Sequence, residues 1–151
     1  MNIVKQINQY DDTCIYLCER IKNNIINEGS FIRILYSTHN VVFNGIYLLT
    51  QFNDIACEQY FNKFRYNFNP FTHTELIAQL QQIECTILQK LGIWNKTPYF
   101  KLHEQLKSGN VKIFGEQLDN ANILLILKIS GIWETHNAYG LTFKFINCPN
   151  L

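Results

Sequence analysis

The chain is poor in charge and has no long apolar run. Only 17% of its 151 residues are charged, against 47% that are hydrophobic. The longest apolar run, Ile123–Leu127, ends at Lys128 and is far shorter than the ~18 residues that a membrane-spanning helix needs. Lys and Arg number thirteen against twelve Asp and Glu, so the net charge is +1. This composition excludes charge-driven disorder, and any anion-binding role must depend on where the cations lie.

The sequence also lacks the features of an exported, disulfide-bonded protein. The first six residues contain no apolar signal core, so we do not expect export. Five cysteines are an odd number, and a domain of this size can build its core without disulfides, which indicates an intracellular, reducing compartment. Cys14 and Cys18 could begin a zinc site, but the four histidines are scattered singly. We therefore expect buried, reduced thiols and neither a metal nor an organic cofactor.

Motifs of catalysis are missing as well. The sequence has no G-x-x-x-x-G-K-[ST] phosphate loop, no G-x-G-x-x-G fingerprint and no G-x-S-x-G elbow. Nothing places Cys57 or Cys85 near a histidine, and His136 beside Glu134 has the setting of a solvated turn residue. Because no nucleophile–base or acid–base pair can be named, we predict that the protein is not an enzyme.

Local patterns predict one domain over residues 1–151, with an N-terminal helix in 1–28 and a β-rich body in 30–151. Asp11 and Asp12 at an N-cap, followed by Ile15, Cys18 and Ile21 at helical spacing, predict a helix from Asp11 to Asn27. A Thr72–Glu75 capping box and Gly92 delimit a long helix at about 75–91.

The residue patterns of the remaining segments predict strands. Phe31–Tyr36 and Val41–Thr50 form a predicted hairpin with a bend at Asn44–Gly45, and Cys57–Phe68 alternates like a single strand. After a loop with at most a short helix around 99–107, residues 111–114, 123–133 and 139–146 predict a short strand and a closing hairpin. The expected fold class is α+β, mainly antiparallel: an OB-like small barrel or bent sheet with the long helix inserted between strands.

Cations recur inside these strands, whereas acidic residues are expected to concentrate in helices and loops. If the strands form one sheet or barrel, one of its faces would carry Arg33, Lys63, Arg65, Lys112, Lys128 and Lys144. Four aromatic residues accompany them, Phe31, Phe61, Trp133 and Tyr139. Cations along a face with exposed flat rings suit a single nucleic-acid strand, because phosphates pair with the cations and bases stack on the rings. Strand cations are also ordinary solvated residues that discourage edge-to-edge aggregation, and the residues alone favour this interpretation.

The order of elements resembles the single-stranded DNA-binding proteins of large DNA viruses and of T7-like phages. The likeness lies in the long helix Glu75–Leu91, in the segment from Trp94 to Lys107 that leads into Val111–Phe114, and in the hairpin of 123–133 with 139–145. The resemblance implies an OB fold and binding of single-stranded DNA. T7-like proteins end in an acidic tail, whereas this sequence ends Ile146-Asn-Cys-Pro-Asn-Leu151.

The sequence thus predicts a non-sequence-specific single-stranded DNA-binding protein of viral DNA replication or recombination, contacting DNA through the ten residues above. We also expect two further partners: replication proteins, and a second copy bound through the N-terminal helix. We do not expect binding to a membrane. The alternative is a virus-encoded interaction or structural module without nucleic-acid binding. The arrangement of the six strand cations in space distinguishes the two.

Overall fold

The computed structural model describes residues 4–22, 29–114 and 121–148, which form two β-sheets and two α-helices. The strands are β1 (Lys5–Gln6), β2 (Ile15–Lys22), β3 (Ser30–Ser37), β4 (Val42–Asn44), β5 (Ile46–Phe52), β6 (Ala56–Tyr60), β7 (Lys63–Asn67), β8 (Thr97–Tyr99), β9 (Asn110–Phe114), β10 (Ile123–Glu134) and β11 (Ala138–Asn147). The helices are α1 (Thr74–Leu91) and α2 (Lys101–Lys107). In this part of the chain no helix is both long and apolar enough to cross a membrane.

Strand β10 organises the larger, eight-stranded sheet. Its first half pairs with β5, its second half pairs with β3, and β11 lies antiparallel along its other side. A bulge between Ile129 and Gly131 separates the two halves, and such a bulge increases the bend and twist of a strand. Strands β6, β7 and β9 form a separate antiparallel sheet. The α+β, mainly antiparallel class is confirmed, and the sheets of the described residues remain open.

The long helix α1 covers the inner face of the sheets. Its apolar side buries Leu80, Ile83, Ile87 and Leu88 in one core with the inward side chains of β3, β10 and β11. Gly92 takes the left-handed conformation at the C-cap, with φ of 58°, as the sequence predicts. The start differs slightly, because Thr72 lies in a 3₁₀ turn and His73 is the N-cap, without a side-chain cap bond.

The predicted N-terminal helix is wrong for the residues that the structure describes. After a short 3₁₀ turn, Ile15–Lys22 forms β2 and pairs with β3, while residues 23–27 lie outside the described ranges. The β2–β3 register shifts between Leu17 and Arg20. This irregularity breaks the two-residue alternation, so the apolar spacing imitates a helical period. Residues 11–22 therefore provide no α-helix through which a second copy could bind.

The predicted single strand over 57–68 is a hairpin. Phe61, with φ of 56°, and Asn62 form its turn, and β6 and β7 pair on either side. The alternation holds within β7, where Phe64 and Tyr66 face the core and Lys63 points the other way. The expectation that acidic residues concentrate in helices and loops is also wrong, because strands β2, β6 and β10 contain Glu19, Glu58 and Glu134.

The two predicted hairpins have different outcomes. The closing hairpin is confirmed, since β10 and β11 pair from Leu125–Asn147 to Glu134–Tyr139. Leu141 and Phe145 are buried on its inner side. In the opening hairpin only the first part holds: β3 pairs with β4, the chain bends at Gly45 with φ of 101°, and β5 then pairs with β10.

Candidate nucleic-acid interface

A groove of about 800 Å³ runs along one edge of β11. Strand β8 pairs with β11 only from Ala138 to Gly140, after which the chain turns at Phe100 into α2. In the described residues the rest of that β11 edge has no ladder partner, and it faces α2 and β9 across the groove. The volume falls within the roughly 300–1,000 Å³ of typical ligand clefts.

Lysines from four elements meet in this groove. Lys63 comes from β7, Lys101 from α2, Lys112 from β9 and Lys144 from β11. Glu104 of α2 is the single carboxylate among the described lining residues. The groove therefore concentrates positive charge although the whole chain is nearly neutral. Three of the six predicted strand cations line it, and Lys101 was missed because its segment reads as a loop.

The wall formed by α2 is held in place by a carboxylate of α1. Glu84 is fully buried, and its two oxygens accept hydrogen bonds of 3.0 Å from the backbone N–H groups of Leu102 and His103. These bonds satisfy two of the first N–H groups of α2, which has no side-chain cap of its own. Burial raises the pKa of Glu84, while the two backbone hydrogen bonds oppose that rise. Glu84 thereby fixes Lys101 and Glu104 at the groove.

The other predicted cations lie near the groove. Lys128 stands directly opposite Lys144 in the β10–β11 ladder, so both side chains share the outer face of the larger sheet. Its ammonium lies 5.7 Å from the centroid of the Tyr47 ring. Arg33 belongs to the same face and donates a 2.9 Å hydrogen bond to Asn44 Oδ1. Arg65 is the cross-strand partner of Lys112 and lies 3.9 Å from Glu58.

The four predicted aromatic residues have different environments. Phe31 and Trp133 are cross-strand partners on the outer face of the larger sheet, and Trp133 also lines the groove. Phe61 stands at the tip of the β6–β7 hairpin, 81% exposed. Tyr139 is buried at 6% exposure and faces the core. In the neighbouring strand Tyr99 is 50% exposed, with its ring centroid 6.0 Å from that of Trp133.

Tyr99 and Lys101 are the candidate residues that sequence reasoning missed. Both follow Pro98, in a segment interpreted as an irregular loop because of that proline. The available signal was the combination of Tyr99, Phe100 and Lys101, an aromatic pair directly followed by a cation. Only the pairing of β8 with β11 brings Tyr99 to the same surface as Trp133.

A second charged cluster lies at the far end of β10 and is structural. Glu134 is buried and accepts hydrogen bonds from Arg20 (2.7 Å), Ser30 (2.7 Å) and Lys96 (3.0 Å). Lys96 also donates to the Thr135 carbonyl at 2.9 Å. Burial by itself raises the pKa of Glu134, but the three hydrogen bonds outweigh it and hold the pKa at about 2. The cluster ties β2, β3 and the segment before β8 to the end of β10.

Neither metal-site geometry nor a known relative supplies a function. Across residues 4–22, 29–114 and 121–148, no three His, Cys, Asp or Glu side chains are grouped so that they could hold a metal ion. Comparisons with protein-family models, with curated proteins and with solved structures found no match. The groove and the surface beside it are therefore the features that indicate a function.

Proposed function

We propose that the protein binds single-stranded DNA without sequence specificity, in the replication or recombination of viral DNA. The observation that carries the proposal is the meeting of Lys63, Lys101, Lys112 and Lys144 in one open groove beside the Trp133 ring. Ammonium groups from four separate elements that line one open groove complement the phosphates of a flexible polyanion.

A flexible strand suits this surface better than a duplex. The cations lie within a groove and on a sheet face, and α1 has Lys90 alone in its last turn. The other helix, α2, is only 7 residues long and includes Glu104, so the described residues contain no basic recognition helix of the kind that enters a major groove. Lysines contact phosphates as point charges that do not distinguish bases, so binding independent of sequence follows.

We further propose that the open sheets are a variant of an OB-like barrel, in line with the resemblance to viral and phage DNA-binding proteins. The long, bulged β10, which pairs with β5 in its first half and with β3 in its second, supports a strongly bent sheet. The inserted α1 supports the same comparison, because it lies between the strand pairs and the closing hairpin.

Fluorescence anisotropy with labelled oligo-dT at 50 and 200 mM salt tests the proposal. Four phosphate contacts predict a slope of log K against log [salt] near −2.8, because each contact in a single strand contributes about −0.7. The double variant Lys112→Gln/Lys144→Gln should flatten this slope by about 1.4 and weaken binding about 25-fold at 0.1 M salt.

The matched control is Lys90→Gln/Lys107→Gln, which removes the same charge from the last turns of the two helices, outside the groove. This control should retain the wild-type slope. The proposal fails if the wild type does not bind oligo-dT at low salt. It also fails if the control loses as much affinity as the groove variant, since the effect would then be one of net charge.

The alternative, a protein-interaction module without nucleic-acid binding, is favoured by two exposed aromatic residues outside the groove. Phe71 is 86% exposed and Trp94 is 93% exposed, so both rings are available as aromatic anchors of a protein interface. An absence of binding to oligo-dT, together with loss of a protein contact in Trp94→Ala, would favour this function.

A further inference from the structure

A row of side chains crosses the outer face of the larger sheet next to the groove. Ile21, Phe31, Trp133, Gly140 and Tyr99 are successive cross-strand partners in β2, β3, β10, β11 and β8. Partners in register point to the same face of a sheet. From Phe31 to Tyr99 the row spans three strand spacings, about 14 Å.

Glycines make room for two rings of this row. A Cβ at Gly140 would lie 2.7 Å from Cζ2 and 2.9 Å from Cε2 of Trp133, so the indole rests directly on the backbone there. A Cβ at Gly131 would likewise overlap the ring of Phe31. Covering a glycine is one reason for an aromatic ring in a sheet. Tyr99 lies beside Trp133 and is half exposed.

The positive charge around this row indicates which class of ligand the row suits. Arg33 and Lys144 are exposed on the same sheet face, and Trp133 belongs both to the row and to the groove of lysines. Flat, part-exposed rings bordered by cations complement a polyanion that carries flat apolar groups. Unpaired nucleobases on a phosphate backbone have this chemistry.

We propose that Phe31, Trp133 and Tyr99 form a base-stacking subsite, which we call the aromatic row. This proposal rests on the proposed function: the groove holds phosphates of the single-stranded DNA, and bases of the same DNA stack on the three rings. Affinity then has two separable parts, one dependent on charge and one on the presence of bases. The row has room for about three bases, because it presents three rings.

An abasic oligonucleotide separates these parts, since it keeps the phosphates and sugars of oligo-dT but has no bases to stack. The wild type should bind dT₁₂ at least tenfold more tightly than a 12-mer of abasic sites at the same salt concentration. Tyr99→Ala should weaken dT₁₂ binding about five- to tenfold and leave abasic binding unchanged. Phe71→Ala, which removes an exposed ring outside the row, is the matched control and should change neither affinity.

A spectroscopic readout tests the row without disturbing it. The chain has two tryptophans, and Trp94 is 93% exposed and outside the row, so Trp94→Phe leaves Trp133 as the reporter. Its fluorescence should be quenched by dT₁₂ and much less by the abasic strand. Equal affinity for both strands, with no effect of Tyr99→Ala, would overturn the aromatic row and leave the groove intact. Failure to bind either strand would overturn the proposed function, and the row with it.

Discussion

Lys128 and Lys144 stand directly opposite each other across the β10–β11 ladder, on the outer face of the larger sheet. Like charges in this position destabilise a sheet by about 0.2–1 kcal/mol. Lys144 lines the groove, whereas Lys128 lies beside the Tyr47 ring. The pair therefore costs stability in the free protein and places positive charge where the proposed ligand would neutralise it.

The first prediction concerns this pair. Lys144→Gln should raise the free energy of unfolding by about 0.5 kcal/mol, because it removes the like-charge contact. It should also weaken oligo-dT binding about fivefold at 0.1 M salt by loss of one phosphate contact. Urea denaturation and anisotropy measure the two effects. Lys128→Gln should give less stabilisation, because it also removes the contact with the Tyr47 ring, and a smaller loss of affinity. A Lys144→Gln protein that is less stable than the wild type would contradict the prediction.

The second prediction uses the one acidic residue of the groove. Glu104→Gln should strengthen oligo-dT binding up to about fivefold, because a carboxylate a few ångströms from a phosphate costs on the order of 1 kcal/mol in water. Glu75→Gln removes the same charge from the first turn of α1, away from the groove, and should leave affinity unchanged. Anisotropy titrations at 50 mM salt compare the three proteins. Weaker binding by Glu104→Gln would show that this carboxylate does not face the ligand.

The third prediction concerns the anchor of the groove wall. Glu84→Ala leaves the N–H groups of Leu102 and His103 buried without their acceptor, so it should lower the free energy of unfolding by about 3 kcal/mol. Glu84→Gln keeps one acceptor oxygen and should cost about half as much. Urea denaturation measures the loss, and hydrogen exchange should show deprotection of these two amides first. Gln81→Ala, exposed on the same helix, is the control, and an equal loss there would refute the anchoring role.

The fourth prediction is a pH dependence from Glu134. Its pKa is about 2 in the folded protein against an ordinary value of 4.5, so its contribution to stability is complete above about pH 5. That contribution is lost as the pH falls from 4.5 towards 2, because protonation breaks the contacts with Arg20, Ser30 and Lys96. Glu134→Gln should lower stability at pH 7 by about 2–3 kcal/mol.

Unfolding in urea at pH 7, 5 and 3 checks this prediction. The difference between wild type and Glu134→Gln should shrink as the pH falls to 3. Glu58→Gln serves as the control. Glu58 is exposed and forms a long surface ion pair of 3.9 Å with Arg65, so its substitution should have little effect on stability at any of the three pH values. A constant difference between wild type and Glu134→Gln would contradict the assigned pKa.

Some elements could be predicted because their determinants are local. Helix α1 has an apolar stripe and a C-terminal glycine within 19 residues, and both features act through contacts one turn apart. The closing hairpin likewise joins two long apolar strands through a short turn. The bend at Gly45 follows from a conformation that favours glycine.

The failures occur where distant contacts decide. Ile15–Lys22 has the spacing of a helix, but pairing with β3 and a ladder irregularity make it a strand. Tyr139 in β11 and Tyr99 in β8 show the same limit, because the first ring faces the core and the second lies on the exposed face of the same sheet.

The sequence by itself determined α1, the closing hairpin and the alternation that separates Lys63 from Phe64, because these depend on residues a few positions apart. The tertiary structure alone decided that Lys63, Lys101, Lys112 and Lys144 share a groove and that Tyr99 joins Trp133. The physical reason is that side-chain periodicity fixes which residues share a face of one element. Pairing between strands far apart in the chain fixes which faces and edges meet.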